Sequence, residues 1–442
     1  MGNALRFARQ HLDKVRYCHP WRKWLVWNGR YWKIDASGAV MALAKQTVKT
    51  IYTEASEARD ADRRSDLAKH ALKSEDVRRI QAMVTLAQSE PGIPVQPAEL
   101  DSDPWTLNVL NGTLDLRTGE LREHEPADLI TKIAPVKYEP DAVCPLWLRF
   151  QERIMDGNQA LIDYKQRAIG YSLTGLTVEQ CLYFAHGTGA NGKSVELELY
   201  QSALGDYALQ AVSELLMVKH GESHPTERAD LFGKRLVCTI ETEEGKRLNE
   251  SLMKQLTGSD RIRARRMRED FWEFVPTHKL WLAANHKPVI RGQDYAVWRR
   301  IRLVPYTVTI PPEERDKHLA EKLKAELPGI FAWMVRGCLE WQRIGLAEPP
   351  EVKAASDQYR DEMDLIAQFV DERCVVGSHY ACTAGNLYAE FRRWAEAGGE
   401  RVMPQRAFGQ QIGKRYERYT NNGTWYRGVA LRHDEPPLTE VM

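Results

Sequence analysis

The sequence lacks the features that mark membrane and exported proteins. Over 442 residues its longest apolar stretches are a handful of residues interrupted by charge, whereas a bilayer span needs about 20. The first residues have no apolar signal-peptide core, and Arg6 stands where a myristoylation site has Ser or Thr. We therefore expect no membrane span and a cytoplasmic protein.

Cysteine motifs and an excess of one charge are also missing. The seven cysteines are scattered and show no C-x-x-C or paired Cys/His spacing, which predicts reduced, buried thiols and no zinc site. Because 62 basic residues balance 61 acidic ones, any nucleic-acid surface must be local. The basic runs are RIRARRMR at 261–268 and GKRYERY at 413–419, although such runs are as often solvated faces.

No internal repeat or low-complexity tract divides the chain, so proline and glycine clusters set the predicted boundaries. The first unit, residues 1–144, is predicted to be an α+β domain. It has two aromatic runs about Asn28-Gly29, which indicate a hairpin. A helical stretch from Val40 to Gln88, a linker at 88–104 and a second hairpin-like unit follow.

The second unit, residues 145–350, opens with an amphipathic helix pair and then alternates apolar strands with helices. This alternation predicts an α/β core. After EPPEVKAASDQYRDEMD, a last unit at 365–442 shows a helix, a turn, a helix and a terminal hairpin. That order suits a winged helix.

The sharpest motif lies in QCLYFAHGTGANGKSVELELYQSAL, where a short apolar strand meets G-x-x-x-x-G-K-[ST] and then a helical pattern. Its glycines let backbone N–H groups surround phosphate oxygens at the positive end of the following helix. Lys193 is expected to reach the β and γ phosphates of ATP, and Ser194 to bind Mg²⁺. The predicted nucleotide-binding residues are Gly187, Thr188, Gly189, Ala190, Asn191, Gly192, Lys193 and Ser194.

Carboxylates follow the next apolar strand, in KRLVCTIETEEG. Strand alternation puts Glu241 and Glu243 on one face, where they can hold Mg²⁺ through water and polarise the attacking water. Glu241 is thus the predicted metal partner of Ser194, and which of the two glutamates activates water stays open. With Glu244 beside them, these acids also fit a solvated turn.

A third apolar strand, in HKLWLAANHKP, ends at Asn285. An amide there can orient the lytic water or sense the γ-phosphate, although turn chemistry alone also selects Asn. Farther on, DYAVWRRIRLVPY carries Arg299, Arg300 and Arg302. An arginine supplied by a neighbouring subunit would stabilise the charge that develops in phosphoryl transfer. The alternative, that they pair with surface acids, is expected for at least one of the three.

Read together, GTGANGKS, KRLVCTIETEEGKRLNESLMKQLTGSDRIRAR, HKLWLAANHKP and DYAVWRRIRLVPY resemble the superfamily 3 helicases. The branch looks like the phage and plasmid primase-helicase family, which includes satellite-phage alpha-type and poxvirus primase-helicase proteins. The resemblance covers most of the chain. TLNVLNGTLDLRTGELREH looks like the family's lead-in, and LYAEFRRWAEAGG with QRAFGQQIGKR looks like its C-terminal winged helix.

This resemblance implies an AAA+-type P-loop ATPase assembled as a hexameric ring, with ATP at each subunit interface and single-stranded DNA in the channel. It also implies movement from 3′ to 5′. The residues that take family roles are Lys193 and Ser194 for Walker A, Glu241 and Glu243 for Walker B, Asn285 for sensor 1, and Arg299 and Arg300 for the arginine finger. The implied DNA-binding residues are Lys254, Arg263, Arg265 and Arg266.

One departure from the family concerns the first 140 residues, which show no acidic primase triad with zinc ligands. We therefore expect either that a separate primase partner does the priming or that priming has been lost. The aromatic opening could instead stack bases, as single-strand binders do, or form the hairpin's own core, which we favour. Its rings belong to Trp21, Trp24, Trp27, Tyr31 and Trp32.

The function expected from these patterns is an ATP hydrolase that drives a DNA helicase of phage or plasmid replication. It would act as a homo-oligomer on single-stranded and forked DNA, in a bacterial or virus-infected cell. One alternative is an ATP-dependent ring remodeller or antiviral effector without unwinding. Another is a non-catalytic origin-binding scaffold, against which the intact set of Lys193, Glu241, Asn285 and Arg300 argues.

Overall fold

The computed structural model describes residues 2–218, 225–241, 243–265, 271–398 and 402–432. In the N-terminal part, helix α1 and a three-stranded antiparallel sheet precede three helices and a second three-stranded sheet. The elements are α1 (Gly2–His11), β1 (Val15–Cys18), β2 (Lys23–Trp27), β3 (Trp32–Ile34), α2 (Ala39–Glu57), α3 (Ala61–Ser74), α4 (Val77–Ala87), β4 (Thr106–Val109), β5 (Gly112–Asp115) and β6 (Glu120–Arg122).

The hairpin expected about Asn28-Gly29 is confirmed, since Trp27 pairs with Trp32 across β2 and β3. Trp32 is fully buried, so it belongs to the core. The prediction that residues 88–104 form a linker is wrong. Val95 donates a backbone hydrogen bond to Tyr17 of β1 at 3.0 Å, and Ile93, Val95 and Leu100 are buried. Apolar side chains at this spacing anchor a proline-rich segment that composition alone assigns to a linker.

The central part is a mixed α/β unit, as the alternation of strands and helices predicts. Its elements are α5 (Pro145–Ile154), α6 (Gln159–Leu173), β7 (Leu182–His186), α7 (Lys193–Leu204), β8 (Ala208–Gln210), α8 (Pro225–Ala229), β9 (Leu236–Glu241), α9 (Glu250–Thr257), β10 (Ile262–Ala264), β11 (Trp272–Phe274), β12 (Lys279–Ala284), α10 (Tyr295–Trp298), β13 (Ile301–Pro305), α11 (Leu319–Lys324), α12 (Leu327–Ile344) and α13 (Pro350–Glu362).

Five of these strands form a parallel sheet in the order β13-β7-β12-β9-β8. Its strands are apolar on both faces because both faces are covered. Tyr183 and Trp281 point into one core with α5, α6, α7 and α12. Leu182 and Leu280 point into the other, with α9, β10, β11 and Tyr359. The sheet is therefore buried between two layers.

The C-terminal part has its own core. It contains α14 (Leu365–Arg373), β14 (Cys374–Thr383), α15 (Ala384–Ala397), α16 (Gln405–Ile412), β15 (Arg418–Thr420) and β16 (Thr424–Leu431), and its sheet order is β14-β16-β15. The segment before it, left unassigned between the predicted units, is helix α13, which packs on β13. The Tyr359 side chain on this helix is buried and donates to the Pro288 carbonyl.

The structure also bears on two expectations from the sequence, those of buried thiols and of no membrane span. All seven cysteines are buried and none lies in a disulfide, in line with the expectation of buried thiols. None of the helices in the described part of the chain has the length and apolarity that a membrane crossing needs.

Helices α6 and α12 approach each other at two glycines. A Cβ on Gly170 would lie 2.1 Å from the Cys338 backbone nitrogen, and one on Gly337 would lie 2.0 Å from the Gln166 backbone oxygen. Because both obstacles are backbone atoms, neither can move without separating the helices. The contact therefore requires glycine on both sides.

We expect Gly170→Ala to destabilise the chain by about 1–3 kcal/mol through overpacking, seen as a lower midpoint of thermal unfolding. Gly385→Ala is the matched control, because a Cβ there meets no described atom within 4 Å. Equal midpoints for the two variants would contradict the close helix contact.

Candidate nucleotide-binding site

The candidate phosphate loop joins the end of β7 to the start of α7, as the motif predicts. Gly189 and Gly192 have φ angles of 109° and 84°, which side chains rarely adopt. A Cβ on Gly192 would lie 2.6 Å from Ile154, and one on Gly187 would lie 2.2 Å from the Tyr306 carbonyl oxygen. Glycine is therefore required at position 189 by the backbone conformation, at position 187 by the lack of space for a side chain, and at position 192 by both.

The loop has features that fit a phosphate chain. Asn191 is 2% exposed, and its Nδ2 atom has no hydrogen-bond partner among the described residues. A Cβ on Gly189 would meet no described atom within 4 Å, so the loop is open at that point. An unpaired donor, an open glycine and a helix N-terminus together suit an anion.

Lys193 lies inside this loop. Its Nζ donates to the Gly187 carbonyl at 2.6 Å and to Asn285 Oδ1 at 3.3 Å. Burial lowers the pKa of Lys193 to about 8. The structure therefore brings together the predicted Walker A lysine and the predicted sensor 1 amide, which are 92 positions apart in the chain.

Strand register explains why these residues meet. Ala284, the last residue of β12, is level with His186 on β7 and with Glu241 on β9. Since neighbouring strands are about 4.8 Å apart, the ends of three strands place residues 187, 285 and 241 within roughly 10 Å of one another. One sheet edge thus holds the three predicted motifs.

The carboxylates are placed differently from each other. Glu241 ends β9, and its side chain lies outside the described residues. Glu243 lies beyond the strand, so strand alternation does not extend to it, and its carboxylate contacts Lys246 Nζ at 2.9 Å. An open groove runs from the exposed Ser194 past α7 to Ile240, the residue before Glu241. The Ser194 hydroxyl beside this groove is an oxygen ligand of the kind that suits Mg²⁺.

A buried ion pair links α7, the helix that follows the loop, to α6. Lys165 Nζ and Glu196 Oε2 are 3.0 Å apart and neither side chain is exposed. Glu196 lies in the first turn of α7 and also accepts hydrogen bonds from Tyr200 and Tyr306, each at 2.5 Å. Tyr306 in turn donates its backbone N–H to His186 at 2.7 Å. Both arms of the loop are therefore tied to one network.

Arg299 and Arg300 lie at the opposite edge of the sheet. The Arg300 carbonyl accepts from Leu182, the first residue of β7, so about 16 Å of strand separates it from the loop. Arg299 is exposed and donates to Gln180 at 2.8 Å. Arg300 is 8% exposed and donates to the Ala296 carbonyl. Neither arginine belongs to the phosphate loop of its own chain.

The remaining arginine of that motif has a surface partner. Arg302 forms an ion pair with Glu348 at 3.2 Å. At least one of the three arginines therefore pairs with an acid, as expected.

The predicted DNA-binding residues are split between two places. Strands β10 and β11 form an antiparallel ribbon, on which Arg263 and Arg265 are exposed. Their guanidinium carbons lie 4.4 and 4.7 Å from the Phe271 ring centroid. Lys254 lies on α9 instead and contacts Asp294 at 3.5 Å. Arg266 lies outside the described residues.

Sequence reasoning missed several residues that shape these places. Phe271, 46% exposed, follows the basic run, and that combination of charge and ring is a signal for nucleic-acid contact. Gln180 has a positive φ of 47° and accepts a hydrogen bond from Arg299. No local sequence pattern indicates this contact. Lys165 and Glu196 are far apart in sequence, and only the fold brings their side chains into contact.

Three family profiles match consecutive segments of the chain. The "D5 N terminal like" family matches residues 4–156, a family of unknown function matches residues 185–300, and the "Poxvirus D5 protein-like" family matches residues 361–427. The second match covers the phosphate loop, β9 and β12.

Curated relatives are viral proteins. A protein of Acanthamoeba polyphaga mimivirus that is named as a helicase is 27% identical over 320 residues, covering 67% of this chain and 33% of its own length. An African swine fever virus protein that is named as a primase is 24% identical over 349 residues, covering 72% of this chain and 36% of its own length. The chain thus spans about a third of the length of these relatives.

A solved structure shares the fold. The apo structure of the NrS-1 C terminal region matches with a TM-score of 0.53 at 11% identity, covering 98% of this chain and 100% of that one. The D5-like profiles at both ends of the chain and the relatives named as helicases and primases support a primase-helicase family protein.

Proposed function

We propose that the chain is the ATP-hydrolysing motor of a replication helicase that moves along single-stranded DNA. The observation that carries this proposal is the contact between Lys193 and Asn285 at the edge where β7, β9 and β12 end. Numbered along the chain, the five strands have the order 5-1-4-3-2, which supports an AAA+-type core. Relatives named as helicases support action on DNA.

In this proposal the loop residues bind the phosphates of ATP. Backbone N–H groups of residues 187–194 and the Lys193 ammonium orient the phosphate chain, and Asn285 orients the attacking water. Ser194 and Glu241 would hold Mg²⁺, which when bound neutralises charge on the β and γ phosphates. Glu241 or Glu243 polarises the water.

The arginines complete the site of a neighbouring subunit. They lie at the sheet edge opposite their own loop, so a ring in which one subunit's amino edge faces the next subunit's loop would use them in trans. Arg299 is exposed, whereas Arg300 is buried against its own helix. We therefore assign the finger to Arg299 and a supporting role to Arg300. A closed homo-oligomer, in our proposal a hexamer, supplies one such contact per subunit.

The β10–β11 ribbon is the proposed contact to single-stranded DNA. Arg263 and Arg265 would bind phosphates, and the exposed Phe271 ring beside them would contact a base. This exposed Arg–Phe–Arg cluster favours nucleic acid over a protein substrate, and so favours a helicase over a remodeller. Movement from 3′ to 5′ on single-stranded or forked DNA is part of the proposal.

The three units have separate tasks in this proposal. Residues 1–144 form a lead-in domain, residues 145–350 the helical collar and motor, and residues 365–442 a winged helix. Supporting the last assignment, α14, β14, α15, α16, β15 and β16 follow one another in winged-helix order, with β16 between β14 and β15. A separate primase remains a proposed partner.

We expect Lys193→Ala to abolish ATP hydrolysis, with and without single-stranded DNA, because the ammonium that orients the phosphates is removed. Particle size in gel filtration should match the wild-type chain. The wild-type chain should hydrolyse ATP faster when single-stranded DNA is added. Wild-type turnover in the variant would refute the site, and hydrolysis that ignores DNA would refute the helicase assignment.

The lowered pKa of Lys193 gives a pH dependence. The ammonium is charged below its pKa of about 8 and loses its proton above it, so affinity for a fluorescent ATP analogue should be constant near pH 7 and fall as pH rises beyond 8. Burial lowers the pKa of the neighbouring His186 below its usual 6.5, so that group does not titrate in this window. Lys193→Arg stays charged and should bind with little change up to pH 9.5. Wild-type affinity that stays constant from pH 7 to 9.5 would contradict the role of Lys193.

Mixing experiments test the arginine assignment. Arg299→Ala alone should be inactive, yet mixing it with Lys193→Ala should restore part of the hydrolysis, because some interfaces then combine an intact Lys193 with an intact Arg299. We expect about 10³-fold or greater loss in the unmixed variant. Absence of recovery at every mixing ratio would rule out action in trans. Recovery with Arg300→Ala but not with Arg299→Ala would reverse the two roles.

A further inference from the structure

The base of the β10–β11 ribbon rests on one aromatic ring from outside the ribbon. Phe232 lies in the turn between α8 and β9. Its ring centroid is 4.9 Å from that of Trp272 at an interplanar angle of 89°, and 5.5 Å from that of Phe274 at 80°. Both partners belong to β11, so Phe232 fixes the strand through two edge-to-face contacts.

The N-terminal part holds the same ring from another side. Trp21, in the turn between β1 and β2, contacts Phe232 edge-on with centroids 6.3 Å apart at 85°. Lys132 Nζ lies 5.8 Å from the Phe232 centroid and forms an ion pair with Asp101 at 2.6 Å. Gly233 in this turn has a φ of 66°, which side chains rarely adopt.

These contacts form a continuous path from the N-terminal sheet to the ribbon. Trp21 and Phe232 are only partly buried, so their contact does not fill a sealed core. Edge-to-face pairs contribute about 0.5–1.5 kcal/mol beyond area burial and prefer particular ring geometries. A contact of this kind orients one element against another and adds little to the stability of the chain.

We propose that Trp21 is a positioning residue for the ribbon, acting through Phe232. The N-terminal unit then braces the element that contacts DNA and holds its two strands at a fixed angle to the motor. The consequence for DNA rests on the proposed function, because it requires that the ribbon binds single-stranded DNA. The bracing itself concerns only the chain.

Trp27 provides the matched control. It is a partly buried tryptophan on the same N-terminal sheet, and its ring packs on Trp32 of its own sheet, with centroids 5.7 Å apart. Trp27→Ala therefore removes a similar side chain without touching Phe232. Trp21→Phe keeps an aromatic edge for Phe232 and serves as the conservative variant.

Hydrogen exchange in the full chain, without DNA or nucleotide, tests the bracing. We expect Trp21→Ala to speed amide exchange in residues 262–264 and 272–274 by about two- to tenfold, the factor that corresponds to one lost aromatic pair. Trp21→Phe should restore most of the protection, and Trp27→Ala should leave the ribbon unchanged. Ribbon exchange in Trp21→Ala equal to that of the wild type would overturn the proposal.

Affinity for a labelled oligothymidine separates the two claims. We expect Trp21→Ala to weaken binding by about two- to tenfold, with DNA-free ATP hydrolysis unchanged. The Arg263→Ala, Arg265→Ala double variant should bind more weakly still. If the double variant keeps wild-type affinity, the ribbon's proposed DNA role fails and the exchange experiment alone decides the bracing. If the double variant loses DNA while Trp21→Ala binds normally, the positioning role is overturned.

Discussion

The parallel pairing of β7 with β12 is the constraint on which the candidate site depends. The ladder runs from Leu182 and Leu280 to His186 and Ala284, and the next residue on each strand begins a candidate functional segment. Because parallel strands end at the same edge, a glycine-rich loop and an amide from distant parts of the sequence meet there. Shifting this pairing by two residues would move Asn285 by about 7 Å and break its contact with Lys193.

The same sheet separates the candidate nucleotide site from the candidate arginine finger. Its carboxyl edge holds the phosphate loop and the end of β9, whereas its amino edge holds Arg299 and the connection from the ribbon into β12. Strands β9 and β12 join the two edges, and side chains from both layers bury them. Stiff, buried strands suit the proposed motor, in which an event at one edge would displace residues at the other, since packed interiors transmit strain.

The positions of many candidate site residues in the fold could be predicted because their signals are local. The phosphate loop is a contiguous pattern, and β7, β9 and β12 are apolar runs followed by polar residues. The basic run at 261–268 is a candidate nucleic-acid surface in the sequence, and its described part, residues 261–265, includes β10. In each case neighbours in sequence carry the information, so spacing and residue type were sufficient to place the motifs on strands, loops and helices.

What sequence reasoning missed depends on contacts between distant segments. Lys165 and Glu196 each look like surface residues of a helix, and only the fold of the distant segments buries them together. Residues 88–104 have the composition of a linker, yet Ile93 and Val95 find a pocket beside β1. The Trp21–Phe232 contact joins elements more than 200 positions apart. Strand alternation also could not show that β9 ends before Glu243.

ATP-dependent strand displacement on a forked duplex tests the central claim most directly. The duplex should carry a single-stranded arm at either its 3′ or its 5′ end, and the Lys193→Ala variant provides the background. The account predicts that the wild-type chain separates the strands only with ATP and prefers the fork with a 3′ loading arm. ATP hydrolysis stimulated by DNA without any strand separation on either fork would contradict it.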